Sequence, residues 1–187
     1  MNANENLIIT PDSPFIINGN GPQIFVFENI TFENGAEMRI FSDVTIQVDT
    51  LTFAGNNTIC VLGVNGQNAV AGSADLNGVN GTNSPNVTIN ALSFSGEATL
   101  SMIAGNGGNG ADGSPNGGNG GNAGNGSTVV FTYGTIGENS FINTHLAIAY
   151  GGAPGKGIKP AHGEAQPQDG SGGANGFEGT IIVQPFN

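Results

Sequence analysis

Ile30-Thr31-Phe32-Glu33-Asn34-Gly35 returns 21 residues later as Leu51-Thr52-Phe53-Ala54-Gly55-Asn56, and again as Leu92-Ser93-Phe94-Ser95-Gly96-Glu97. Each copy is followed by a second short apolar run: Met38–Phe41, Ile59–Leu62 and Leu100–Ile103. A weaker fourth copy is Ile136-Gly137-Glu138-Asn139, with Leu146–Ala149 as its second run. Between the copies recurs a third run: Val44–Val48, Val87–Ile89, Thr128–Phe131 and Thr180–Val183. These runs are short, rich in β-branched residues and bounded by Gly, Asn or Ser, which predicts strands. A strand-sized unit that recurs, here at 21 residues or at that spacing plus an insertion, cannot bury its apolar face alone and must stack on its neighbours. The repeats therefore predict an all-β fold, a β-solenoid of about four rungs over residues 28–187. Residues 1–27, broken by Pro11, Pro14 and Pro22, read as an N-terminal arm or partial rung.

The later repeats are spread apart by Gly-rich excursions at 63–85, 104–126 and 150–179. All three leave and rejoin between the same two strand types, so they should project from one edge of the stack. The middle excursion parses in threes: Gly105-Asn106-Gly107, Gly108-Asn109-Gly110, Ala111-Asp112-Gly113. It breaks at Ser114-Pro115-Asn116 and resumes as Gly117-Gly118-Asn119, Gly120-Gly121-Asn122, Ala123-Gly124-Asn125. Two arms of three triplets joined by a turn match the threefold polyglycine II helix, each arm being roughly 28 Å long at 3.1 Å per residue. That helix makes no internal hydrogen bonds, so its backbone groups must bond to neighbouring helices. Glycine lets helices approach closely enough, and Gly105, Gly108, Gly110, Gly117, Gly120 and Gly124 are the expected packing positions, with Asn on the third face. The outer excursions carry less Gly, which predicts a three-layer sandwich squeezed hardest in the middle. The alternative is three flexible Gly/Asn loops.

Composition narrows the function. The 187 residues hold 33 Gly and 26 Asn, with 3 Lys plus Arg against 14 acids and a net charge of −11. So acidic a chain lacks the Lys/Arg clusters that nucleic acid or an anionic membrane surface requires. Its scarce proline and reversing arms exclude collagen. No apolar stretch is long enough to span a membrane, and Met1–Asn6 reads as no secretory signal. Cys60 stands alone in Thr58–Leu62, so no intramolecular disulfide forms, and a small buried side chain is its expected role.

No His-x-x-x-His, no cysteine pair, no nucleophile elbow and no Gly-Gly-x-Gly-x-Asp calcium repeat is present, so neither catalysis nor any metal or cofactor is expected. His145 lies in a strand-like run. Lys159, His162 and Glu164, at the tip of the third excursion, form the one candidate recognition tip.

The triplet arms resemble the polyglycine II sandwich of the receptor-binding adhesins at the fibre tips of T-even-like phages, and also the Gly-rich ice-binding proteins of springtails. The solenoid part resembles adhesins and fibre proteins in general. The tips here lack the aromatic-rich loops of the phage adhesins, and the chain lacks the disulfides of the springtail proteins. The chain also closes on a strand, Thr180–Asn187, with no capping helix, and begins with short apolar strands. Uncapped solenoid ends expose unpaired backbone and an apolar rung. The expected interface is Leu7, Ile8, Ile9, Phe15, Ile16 and Ile17 at one end and Ile181, Ile182, Val183 and Phe186 at the other. The expectation is a structural, self-assembling subunit of an extracellular or virion-surface filament, with itself as partner. A receptor-binding adhesin for a cell-surface receptor or glycan is the alternative, and ice binding a third reading.

Overall fold

The structure, a computed structural model, describes residues 5–160 and 165–186. It holds eleven strands among the described residues: β1 Asn6–Ile9, β2 Phe15–Ile17, β3 Gln23–Phe32, β4 Glu37–Ile40, β5 Val44–Phe53, β6 Asn57–Leu62, β7 Val87–Ser95, β8 Glu97–Ile103, β9 Thr128–Ile136, β10 Phe141–Ala147 and β11 Thr180–Pro185. Odd-numbered strands make one six-stranded sheet and even-numbered strands a five-stranded one, each in chain order. Every ladder in both sheets is parallel. The chain is thus all-β, and its alternation between two parallel sheets is compatible with a parallel β-solenoid.

Alternation within each strand builds the core. In β5, Val44, Ile46 and Val48 are buried while Thr45 and Gln47 are not. Two successive exposed residues, Asp49 and Thr50, then shift the alternation by one, so that Leu51 and Phe53 again point inward. Pairing skips this level in every long strand, at Glu28, Asp49, Leu92 and Gly134. The long strands therefore bend around the core at a common level. The run 24–27 belongs to the same strand as Ile30–Phe32, so an arm ending at residue 27 would end inside β3.

Register stacks like on like. Ile46 pairs with Ile89, and Ile89 with Phe131. Phe32 packs on Phe53 with ring centroids 5.0 Å apart, and Phe94 meets Phe131 edge-on at 5.4 Å. Each fully buried Ile, Leu or Phe contributes about 1.5–3 kcal/mol relative to exposure. The turns from the odd to the even sheet use left-handed residues at corresponding places, Gly35 (φ 81°), Gly55 (φ 103°) and Gly96 (φ 87°), with Asn139 (φ 53°) in the last. Asn tolerates this region better than other side-chain-bearing residues.

The fourth repeat differs from its sequence reading. Its second strand is Phe141–Ala147 rather than a run beginning at Leu146, and Leu146 is level with Met102. β10 is an edge strand with Asn143, Thr144 and His145 exposed, so its apolar pattern is too thin to mark its start.

Every return from the even to the odd sheet lies on one side of the topology. Two returns are short, 18–22 and 41–43, and three are long, 63–86, 104–127 and 148–179. The long ones contain the Gly-rich excursions.

Candidate functional site

The three long connections bond to one another through their backbones. From the first connection, Gly66 and Ala69 donate to the carbonyls of Asn106 and Asn109 in the middle one, both at 2.8 Å. The middle one passes the pattern on: Gly107, Gly110 and Gly113 donate to Tyr150, Ala153 and Lys156 at 2.9–3.0 Å. On the returning stretches Gly78 and Gly81 donate to Asn119 and Asn122, and Gly117, Gly120 and Ala123 to Gln168, Ser171 and Ala174. Within the middle connection the bonds run antiparallel: Gly118, Gly121 and Gly124 donate to Ala111, Gly108 and Gly105. The partners of N–H groups without internal bonds are thus found in neighbouring stretches, every third residue.

Burial has the same period. Gly105, Gly108 and Ala111 are buried, Gly107 and Gly110 half-buried, and Asn106, Asn109 and Asp112 exposed. In the outgoing stretch of the first connection only one residue in three, Gly63, Gly66 and Ala69, is even half-buried. A Cβ placed on Gly105 would overlap the carbonyl oxygen of Val64; on Gly108 that of Gln67; and on Gly124 that of Thr82. On Gly110 it would meet Gly118, on Gly117 Gly155, and on Gly120 Gly152, in each case at the carbonyl oxygen. Those six glycines therefore touch the first connection, the third, and the opposite stretch of their own connection.

The asparagines have a role that the triplet pattern alone did not disclose. Asn65 Oδ1 accepts the N–H of Asn106 at 2.8 Å, and Asn106 Oδ1 accepts that of Tyr150 at 2.7 Å. The same relay runs from Asn68 through Asn109 to Ala153 and from Asn80 through Asn122 to Ala174. It runs again from Asn77 through Asn119 to Ser171 and from Asn83 through Asn125 to Phe177. Asp112 serves Lys156 in the same way at 2.7 Å. In a Gly-Gly-Asn triplet two N–H groups bond to backbone carbonyls and the third to an Asn side chain. The recurring spacing of 41 or 42 residues between Asn residues is the sequence signal for this relay.

The relay ends at the third connection. Its corresponding slots are Tyr150, Ala153, Lys156, Ser171, Ala174 and Phe177, none of them Asn. Tyr150 and Phe177 are 64% and 77% exposed there. Its outer N–H groups are closed off locally: Gly151 donates to Asn175 Oδ1, Gly157 to Asp169 Oδ1, and Pro154 has no N–H to offer.

The second candidate surface is the pair of sheet ends. At one end Ile8 and Ile16 are 64% and 52% exposed, and Leu7 and Phe15 pack partly buried on the core. Ile9 and Ile17 are buried, so they offer an interface only their backbone. At the other end Ile181 and Val183 pack partly buried, and Ile182 and Phe186 stand exposed. β1 and β11 are the outermost strands of one sheet, β2 and β10 of the other.

Of the candidate tip, Lys159 is exposed, while His162 and Glu164 lie outside the described residues. Among the described residues no group of three or more His, Cys, Asp or Glu is placed to hold a metal ion. Cys60 is half-buried beside the ion pair of Arg39 and Glu37, whose N–O distance is 2.6 Å. Arg39 holds the Glu37 carboxyl below its ordinary value. Burial first, then the Glu37 carboxylate, pushes the Cys60 thiol up to about 12. Comparison with protein-family models, curated proteins and solved structures returned no match to the chain.

Proposed function

We propose that the chain is a self-assembling structural subunit of an extracellular or virion-surface filament, stacking head to tail through the open ends of a β-solenoid. The observation that carries this reading is that both sheets end in parallel strands without an outer partner among the described residues, with half-covered core side chains beneath them. Unpaired strand edges over an apolar face are templates for another strand. A contact between two different ends of identical subunits does not close and so propagates.

In this reading the two sheets are successive faces of a solenoid of about four rungs preceded by a partial one. The three long connections are polyglycine II hairpins layered at one edge. The threefold burial, the close glycine contacts and the relay of Asn side chains support that assignment. The sandwich stiffens one side of the subunit with backbone hydrogen bonds where a side-chain core would otherwise be needed.

Negative-stain microscopy of the purified protein tests the reading. Filaments of uniform width are expected, and monodisperse particles at high concentration across a range of salt would overturn it.

The exposure of Tyr150 and Phe177 in slots that elsewhere hold Asn favours a second reading, an adhesin that binds a receptor or glycan through the third connection and its tip. Replacing segment 159–164 together with Tyr150 and Phe177 then abolishes attachment to cells while assembly is unchanged. Retained attachment removes this alternative.

A further inference from the structure

The two ends of the six-stranded sheet are each incomplete, and in opposite halves. β3 runs from Gln23 to Phe32, but β1 pairs only with Asn29–Phe32. The edge of Gln23–Phe27 is left without a partner among the described residues. At the far end β11 pairs only with Thr128–Tyr133 of β9 and Phe186 lies against Gly134, which leaves Thr135 and Ile136 without a strand partner among the described residues. The registers place these halves on one scale. Ile182 is level with Val130, Thr88, Thr45 and Ile24 in turn. Pro185 is level with Tyr133, Ala91, Val48 and Phe27. β1 begins at Asn6, level with Asn29. β11 therefore stops one position short of where β1 starts, at the bend marked by Glu28.

We infer that the filament contact is a half-lap joint: β11 of one copy and β1 of the next together make one complete long strand, and β2 of the next copy covers β10. The joint rests on the filament reading above and specifies its partner, a second copy, and its register. β11 lies along Gln23–Phe27 of the next copy, while that copy's β1 starts over Thr135 and Ile136, its Asn6 level with Thr135 and its Leu7 with Ile136. Backbone polarity agrees. Glu28 donates to Glu5 on the β1 side of β3, so by alternation Ile24 and Val26 face the uncovered edge. Phe186 donates inward to Tyr133, so Ile181 and Val183 face outward from β11. Pro185 shares that outward phase and lacks an N–H, which suits it to the last position before the bend. Core continuity agrees too: Ile181 and Val183, half-covered in the isolated chain, come to lie over Gln23 and Phe25. In the other sheet Ile16 is level with Arg39, Cys60, Ser101 and His145.

Disulfide trapping in a Cys60→Ser background tests the register. Ile24 and Ile182 are both exposed, so Ile24→Cys and Ile182→Cys should fold, and neighbouring parallel strands about 4.8 Å apart fall within disulfide reach. Mixing the two single variants and oxidising them should give a reducible dimer that neither gives alone. Ile16→Cys mixed with His145→Cys should do the same, and Ile24→Cys mixed with the off-register Gln184→Cys should not. Filaments whose registered pairs fail to link overturn the joint and leave the filament reading standing. Efficient linking of either variant with itself means like ends meet, which also overturns the joint. Neither filaments nor linked dimers overturns both. The axial rise gives a second readout: five rungs per copy at about 4.8 Å predict about 24 Å, and a different rise refutes the register.

Discussion

At Gly108 a single added carbon is enough to separate packed from loose arms. Its Cβ would overlap the carbonyl oxygen of Gln67, whereas a Cβ on Gly172, on the outer side of the third connection, would find its nearest neighbours at 3.8 and 3.9 Å. Gly108→Val should lower stability by about 1–3 kcal/mol, as overpacking in tight interiors does, and the thermal midpoint by several degrees. Gly172→Ala should stay within about 0.5 kcal/mol. Equal midpoints for the two variants would mean that the arms do not press on one another. Cys60 gives a second test at this scale. Its folded thiol keeps its proton to about pH 12 against an ordinary 9.0. At pH 8 its thiolate fraction is on the order of a thousandfold below that of the unfolded thiol, and since only the thiolate attacks it should react with a thiol reagent far more slowly than in denaturant. The sign of its stability effect follows: the contribution is full below pH 9.0 and is lost as pH rises toward 12, because the unfolded thiol ionises first. Thermal melts across that range should show the loss in the native chain and not in Cys60→Ser.

Among the elements, the Asn relay joins one connection to the next. Asn122 donates its N–H to Asn80 Oδ1 and accepts that of Ala174 at 2.9 Å. Asn122→Ala removes the acceptor and should cost about 0.5–1.5 kcal/mol. Asn122→Asp retains an acceptor oxygen, as Asp112 does for Lys156, and should recover most of the loss. Calorimetry that shows the two variants equally destabilised would remove the relay from the stabilising interactions. The triplet phase of Gly105–Gly126 made the close-packing positions legible in the sequence, because absence of a side chain at fixed spacing has one physical use. The Asn role was not legible in any one triplet, because an exposed Asn looks the same whether it faces water or the next N–H; the partner is 41 or more residues away. Likewise the strands of the first three repeats were readable from alternating Val, Ile and Phe, while β10 was displaced from its expected place because its exposed Asn143, Thr144 and His145 hide the alternation.

On the scale of the whole molecule, charge opposes association. Each copy carries a net −11 with only 3 Lys plus Arg, so approaching subunits repel. Salt shortens the range of that repulsion, from about 30 Å at 0.01 M to about 8 Å at 0.15 M. Growth of the proposed filament, followed by light scattering, should therefore be faster at 0.15 M salt than at 0.01 M. Faster growth at low salt would point instead to attraction between charged groups at the contact. The sheet ends carry few charges of their own: Ile8, Ile16, Ile182 and Phe186 are apolar. The repulsion is therefore spread over the body of the subunit and sets the rate more than the register.

The Asn relay also has a direction. Every Asn or Asp oxygen in it accepts from the connection that follows and never from the one before. Front and back are consequently different chemical surfaces. The third connection offers Tyr150, Ala153, Ala174 and Phe177 where a successor would need acceptors, so growth of the plate stops there. The first connection still presents the N–H groups of Asn65, Asn68, Asn80 and Asn83 with no protein acceptor among the described residues. A graft is thus directional: a Gly-Gly-Asn loop spliced into the short turn at 41–43 would bring its Asn side-chain oxygens to waiting donors, while the same loop placed after β11 would find no Asn oxygen for its own Asn N–H groups.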